Sequence, residues 1–159
     1  MSKKIEHNQS KSLWNYTLSP GWKADEVNIL KKALQKFGIG KWKKIVNSKC
    51  LSGKSIAQIY MQTQRLLGQQ SLGDFMGLHL NLEEVFKDNM KKKDVTRKNN
   101  FIINTSNNPT KEERKRQIEE NKLKYGLTNE EVKAIKLPKW RSEGLLTLDE
   151  IETDKLSTL

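Results

Sequence analysis

Apolar residues recur at helical spacing through the first part of the chain. In residues 22–37, WKADEVNILKKALQKF, Trp22, Val27, Leu30, Ala33, Leu34 and Phe37 share one face, the recurrence every three or four residues that marks an amphipathic helix. Asp25 and Glu26 lie in its first turn, where negative charge complements the helix dipole. Gly38 follows Phe37 and can take the left-handed conformation that closes a helix. Trp42, Ile45 and Val46 mark a short second helix, and Ser48 to Gly53 form a polar turn. Ser55 can cap a third helix, IAQIYMQTQRLLG, with Ile56, Ile59, Thr63 and Leu66 or Leu67 inward and Gly68 at its end. The pattern predicts a core of Trp22, Leu30, Leu34, Trp42, Ile45, Ile56, Ile59 and Thr63. Three short helices with a tight second turn make a helix-turn-helix.

Beyond residue 68 the apolar positions thin out. Asn81 can cap a short helix carrying Val85, Phe86 and Met90. Residues 91–109 are rich in Lys and Asn and end in Asn-Asn-Pro, a linker signal. The cluster Phe101-Ile102-Ile103 within them reads as an anchor for a partner or a strand-like contact. Thr110 with Glu113 and Thr128 with Glu131 are two capping boxes, in which a side chain at each end satisfies a free backbone N–H of the other. Gly126 ends the first of these helices, whose apolar content is Ile118, Leu123 and Tyr125, too little to hold a core alone. The second carries Val132 and Ile135, and Leu137-Pro-Lys-Trp140 follows in extended form, because the residue before proline avoids helical angles.

These segments divide the chain into a tail at 1–20, whose Trp14 and Tyr16 dock on something, a helical module at 21–68, a short helical extension at 69–90, a linker at 91–109, a helical docking arm at 110–142 and an acidic tail at 143–159. The fold class is all-α. Phe86 of the extension and Leu123, Val132, Ile135, Leu137 and Trp140 of the arm are the expected partner contacts, since short helices with few apolar residues need an outside surface to pack on.

Composition sharpens this picture. Only 35% of the 159 residues are hydrophobic and 31% are charged, with a formal net charge of +11. Residues 1–72 hold 13 Lys or Arg against 3 Asp or Glu, whereas residues 110–159 hold 11 of each. Charge serving solubility alone has no reason to gather in one small module, so the concentration points to a polyanion-binding face. No apolar run approaches the ~20 residues of a membrane span, and no apolar stretch follows the basic N-terminus as a secretory signal requires. Cys50 is the one cysteine, so no intramolecular disulfide forms. With only His7 and His79 beside it, a Cys/His zinc site cannot be assembled.

Trp22, then Gly38-x-Gly40-x-Trp42 with Ile45, then Gly53-Lys-Ser-x-x-Gln-Ile59 resemble one Myb/SANT-like, or homeobox-like, repeat over about residues 20–68. Where that family has a third core aromatic, this chain has Thr63, with Tyr60 nearby as a substitute. The resemblance implies duplex DNA binding with the third helix in the major groove. The outward positions of that helix are Lys54, Ala57, Tyr60, Met61, Gln64 and Arg65. Gln64 and Arg65 lie where the family's base-reading side chains often fall; Gln can pair with adenine and Arg with guanine. Lys41, Lys43, Lys44 and Lys54 suit phosphates, which supply affinity without sequence information.

The chain as a whole is also similar to the small homeobox-like accessory subunits of ciliate DNA N6-adenine methyltransferase complexes. That resemblance implies catalytic and pseudo-catalytic methyltransferase subunits as partners, a nuclear location, and methyl transfer carried out elsewhere in the assembly. No Asp-Pro-Pro-Trp motif of the catalytic subunit is present. The alternatives are a SANT-type module that binds histone tails or serves transcription, and a pure scaffold. Ser52-Gly-Lys-Ser55 resembles the end of a P-loop, but Ser48 stands where the motif needs glycine and no strand precedes it. Paired acids such as Glu83-Glu84 are adjacent and project apart on a helix. The residues therefore suggest no catalytic site, metal, cofactor or small-molecule substrate.

Overall fold

The computed structural model describes residues 18–98, 101–103, 108–141 and 144–145. Helices α1 (Ala24–Phe37), α2 (Trp42–Asn47) and α3 (Ile56–Leu67) form the N-terminal module. A 3-10 turn (Gly73–Phe75) and α4 (Leu82–Lys91) follow, then a hairpin of β1 (Arg97–Lys98) and β2 (Phe101–Ile102). Helices α5 (Lys111–Tyr125) and α6 (Asn129–Lys133) and a second hairpin, β3 (Trp140–Arg141) with β4 (Gly144–Leu145), complete the described residues. The chain is predominantly α-helical, each sheet being a two-stranded antiparallel ribbon. The capping signals hold where the spacing placed them: Ser55, Asn81, Thr110 and Thr128 each accept the N–H three residues on.

One continuous core runs from Trp22 to Val85. Val27, Leu30, Ala33 and Leu34 of α1, Ile45 of α2, and Ile59, Leu66 and Leu67 of α3 are buried together with Leu72, Phe75, Leu78, Leu80, Leu82 and Val85. Phe86, expected to meet a partner, is likewise buried, as is Thr63, whose hydroxyl donates to the Ile59 carbonyl at 2.7 Å. That local bond lets a small polar residue occupy an inward helical position without leaving a donor unpaired. Ile56 departs from the expected core and is 40% exposed. It stands at the first helical position, and helical side chains lean toward the N-terminus, so it projects past the end of the packed layer.

The loop between α1 and α2 explains the Gly-x-Gly spacing. Gly38 and Gly40 have φ of 101° and 92°, values that L side chains rarely adopt. A Cβ on Gly40 would lie 2.6 Å from Met76 Sδ. Between them, Ile39 donates its N–H to Leu78 O at 2.9 Å and accepts from Gly77 N at 2.8 Å. The two glycines thus let residues 76–78 lie directly on the helix-turn-helix module.

The segment expected as a free arm is folded back on this body. Helix α5 packs on the 3-10 turn and α4, and α6 packs on α1. Ile118, Tyr125 and Leu137 lie against the core. Most of the attachment is polar: Asn121 Nδ2 donates to Asp74 O at 3.0 Å, Arg114 pairs with Asp74 at 3.3 Å, and Tyr125 Oη donates to Asp88 Oδ2 at 2.6 Å. The stretch 79–81 adds backbone bonds, Asn81 N to Tyr125 O and Leu127 N to His79 O, both 2.8 Å. Lys36 Nζ of α1 donates to Ile135 O at 2.9 Å. Phe101–Ile103, read from sequence as a partner anchor or a strand-like contact, makes the strand-like contact at the end of α3, with Ile102 N donating to Gly68 O at 2.9 Å and Gln70 N to Ile102 O at 2.7 Å.

The Tyr125 hydroxyl, with Lys124 beside it, holds the Asp88 carboxyl below its ordinary range. A depressed carboxylate contributes stability above its unfolded pKa of about 3.9, and that contribution is lost as pH falls through the lower folded value. Tyr125→Phe is therefore expected to lower the melting temperature at neutral pH, and the gap from the unsubstituted chain should close as the solution is acidified below pH ~4. A gap that is constant with pH would show that the phenol contributes by packing alone.

Candidate nucleic-acid interface

Helix α3 is anchored by its inner face. Ile59, Gln62, Thr63, Leu66 and Leu67 are buried, and Gln62 Oε1 accepts the buried Ser19 N–H at 2.8 Å. The opposite face is open. Ala57, Tyr60 and Met61 are exposed there, and Tyr60 meets Trp42 edge-on with ring centroids 5.6 Å apart. Trp42 is thus half-buried between the core and Tyr60. Tyr60 consequently does not fill the inner site that Thr63 leaves small. The same contact sets the start of α2 beside the outer face of α3, with Lys41 and Lys43 on either side of Trp42 in the chain.

The candidate side chains separate into distinct environments. Lys41, Lys43 and Lys44 are exposed. Lys49, which the spacing argument did not single out, is also exposed and sits in the α2–α3 turn with φ of 60°, a conformation that is uncommon outside glycine. Lys54 differs from the expectation of a phosphate contact. Its ammonium donates to Gly21 O at 2.9 Å and to Glu26 Oε2 at 3.1 Å, its side chain is 8% exposed, and it lies 5.0 Å from the centre of the Trp22 ring. It is a structural pin between the start of α1 and the start of α3. Gln64 is likewise engaged: its Nε2 donates to Gln70 O at 2.8 Å. Arg65 is half-exposed on the last turn of α3.

Among the expected partner contacts, Leu137 packs inward along with Phe86. Val132 and Ile135 are half-buried, and Leu123 is 82% exposed. The Trp140 side chain, the aromatic pair Trp14 and Tyr16, and the acidic tail apart from residues 144–145 lie outside the described residues. His79, half-buried, has Nδ1 3.0 Å from Gln35 O. Burial pushes the Cys50 thiol pKa up, away from the thiolate form that nucleophiles need. Among the described residues no group of three His, Cys, Asp or Glu is placed to hold a metal ion, and no helix is long and apolar enough to cross a membrane.

Residues 19–67 match the family model for the Myb-like DNA-binding domain. No curated protein and no solved structure gives a significant match to the chain. The matched residues are α1 to α3 with their connecting turns, so the match covers the helix-turn-helix described above and supports a DNA-binding role for it.

Proposed function

We propose that this chain is a non-catalytic adapter that grips double-stranded DNA within a larger DNA-modifying assembly, with α3 entering the major groove and the lysines of α2 and the following turn meeting phosphates. The observation that carries the reading is the coincidence of charge and fold: 13 of the 30 basic residues, against 3 acids, fall in residues 1–72, which contain the Myb-like domain. Lys41, Lys43, Lys44 and Lys49 are exposed there and carry the phosphate contacts; the buried Lys54 does not. The resemblance to accessory subunits of DNA adenine methyltransferase complexes supports the second half of the reading. On that reading methyl transfer belongs to other subunits, the chain works in the nucleus, and the exposed Leu123 and the half-buried Val132 and Ile135 contact those subunits.

Salt dependence tests the first half. If ~4 phosphates are neutralised, the log of affinity for duplex DNA should fall with the log of salt concentration at a slope of about −3.6. Replacing Lys41, Lys43 and Lys44 together by Ala should reduce that slope to about −0.9. Binding insensitive to salt would remove DNA from the reading. The second half is tested by purifying the tagged full chain from its source and identifying what accompanies it: a methyltransferase-fold chain supports the adapter, and its absence under conditions that preserve DNA binding counts against it.

A further inference from the structure

Resting on the DNA-binding reading above, we propose that the outward face of α3 reads the 5-methyl groups of thymine, so that apolar contact in the major groove contributes to base preference. Ala57, Tyr60 and Met61 are exposed there, with Met61 51% exposed and Ile56 beside them at the helix start. Ile56 and Tyr60, and Ala57 and Met61, are four residues apart, and Ala57 and Tyr60 three, so these side chains are neighbours on one helix surface. The result is a contiguous apolar strip, beside which the Trp42–Tyr60 contact sets the start of α2 with its exposed Lys41 and Lys43.

Two side chains that could read bases by hydrogen bonding are engaged within the chain, whereas Arg65 is half-exposed on the last turn of α3. Gln64 gives its amide to Gln70 O, and Lys54 gives its ammonium to Gly21 O and Glu26. In the major groove, thymine alone of the four bases carries a methyl group, and small apolar side chains are its natural partners. A thioether adapts its shape to such a surface at several registers. The flanking lysines commit this strip to a polyanion, because a protein partner seated on it would have to be acidic at its rim and would leave the phosphate-type charge pattern unused.

The experiment compares the full chain on duplexes of one length and base order, with thymine or with deoxyuridine at every A·T pair, a change that removes only the methyl groups. Affinity should drop three- to ten-fold on the deoxyuridine duplex. In a G·C-only duplex, 5-methylcytosine should bind more tightly than cytosine. In the variant Ala57→Ser with Met61→Gln, both positions being exposed, the thymine-to-deoxyuridine ratio should fall below two-fold while the salt slope and the helical signal stay unchanged. Salt-dependent binding with equal affinity for both duplexes overturns methyl reading and leaves the DNA-binding reading standing. A ratio that survives the double substitution also overturns it, because the reading surface then lies elsewhere. Absence of duplex binding at low salt overturns both, and the strip is then a protein-docking face.

Discussion

A chain cut after residue 72 should show no cooperative unfolding transition, although it keeps all three helices of the Myb-like domain. The core does not stop where the matched residues stop. Phe75, Leu78, Leu80, Leu82, Val85 and Phe86 are buried, all but Phe86 in the same core as Leu30, Leu34, Ile59 and Leu66, and all six are lost in the cut. Burying each such side chain is worth roughly 1.5–3 kcal/mol. Six of them amount to about 9–18 kcal/mol, comparable with the whole stability of a domain, roughly 5–15 kcal/mol. The cut also removes the two backbone bonds between Ile39 and residues 77–78, leaving the loop between α1 and α2 unsupported. Thermal melting followed by circular dichroism decides the matter. A sharp transition in the truncated chain within a few degrees of the full one would show that the helix-turn-helix is self-sufficient and that residues 73–137 merely rest on it.

Lys54→Ala should destabilise the fold by about 3–5 kcal/mol, far more than the loss of a surface lysine, because it strands a buried carboxylate. Glu26 Oε1 accepts the Lys23 N–H at 2.9 Å and Oε2 takes the Lys54 ammonium at 3.1 Å. Without the lysine, Glu26 keeps its burial and loses its counter-charge. The pair Lys54→Met with Glu26→Gln removes both charges at similar volume and should recover most of the loss, since replacing a buried ion pair by neutral groups is often close to neutral. Denaturant unfolding of Lys54→Ala and of the paired variant separates this from a DNA contact. If Lys54→Ala unfolds like the unsubstituted chain and binds DNA less well, the ammonium serves phosphate and the pin described above is wrong.

The helices themselves were legible because each carries its own start and stop. Ser55, Asn81, Thr110 and Thr128 are caps whose partners lie three residues away, a distance that sequence displays directly. The role of Lys54 was not legible, since its partner is 28 residues distant and a lysine at the start of a DNA-binding helix looks like a phosphate ligand. Gln62 was missed for a related reason. It lies on the inward stripe between Ile59 and Leu66, and the partner of its side-chain oxygen, the Ser19 N–H, is 43 residues distant. The fold-back of residues 110–137 was hidden because α5 has no apolar stripe; it is held through Asn121, Arg114 and Tyr125, which a hydrophobic pattern cannot register. Gln64, expected as a base contact, has its side-chain amide nitrogen donating to the Gln70 carbonyl, a bond of only six residues' span, formed where the chain turns back past the end of α3.

The bond between Lys36 and the Ile135 carbonyl joins residues 99 positions apart, and it has a consequence in time. A ribosome adds roughly 5–20 residues per second, so about 70 further residues, some 3–14 s of synthesis, separate the end of α3 from the segment that closes over α1. In the first part of that interval, until residues 75–86 have followed, the growing chain holds a nearly complete DNA-binding motif whose apolar underside is still uncovered. During its own production the protein is thus a client for whatever shields nascent hydrophobic surface, and slowing translation over residues 73–137 should lower its soluble yield without changing a single residue.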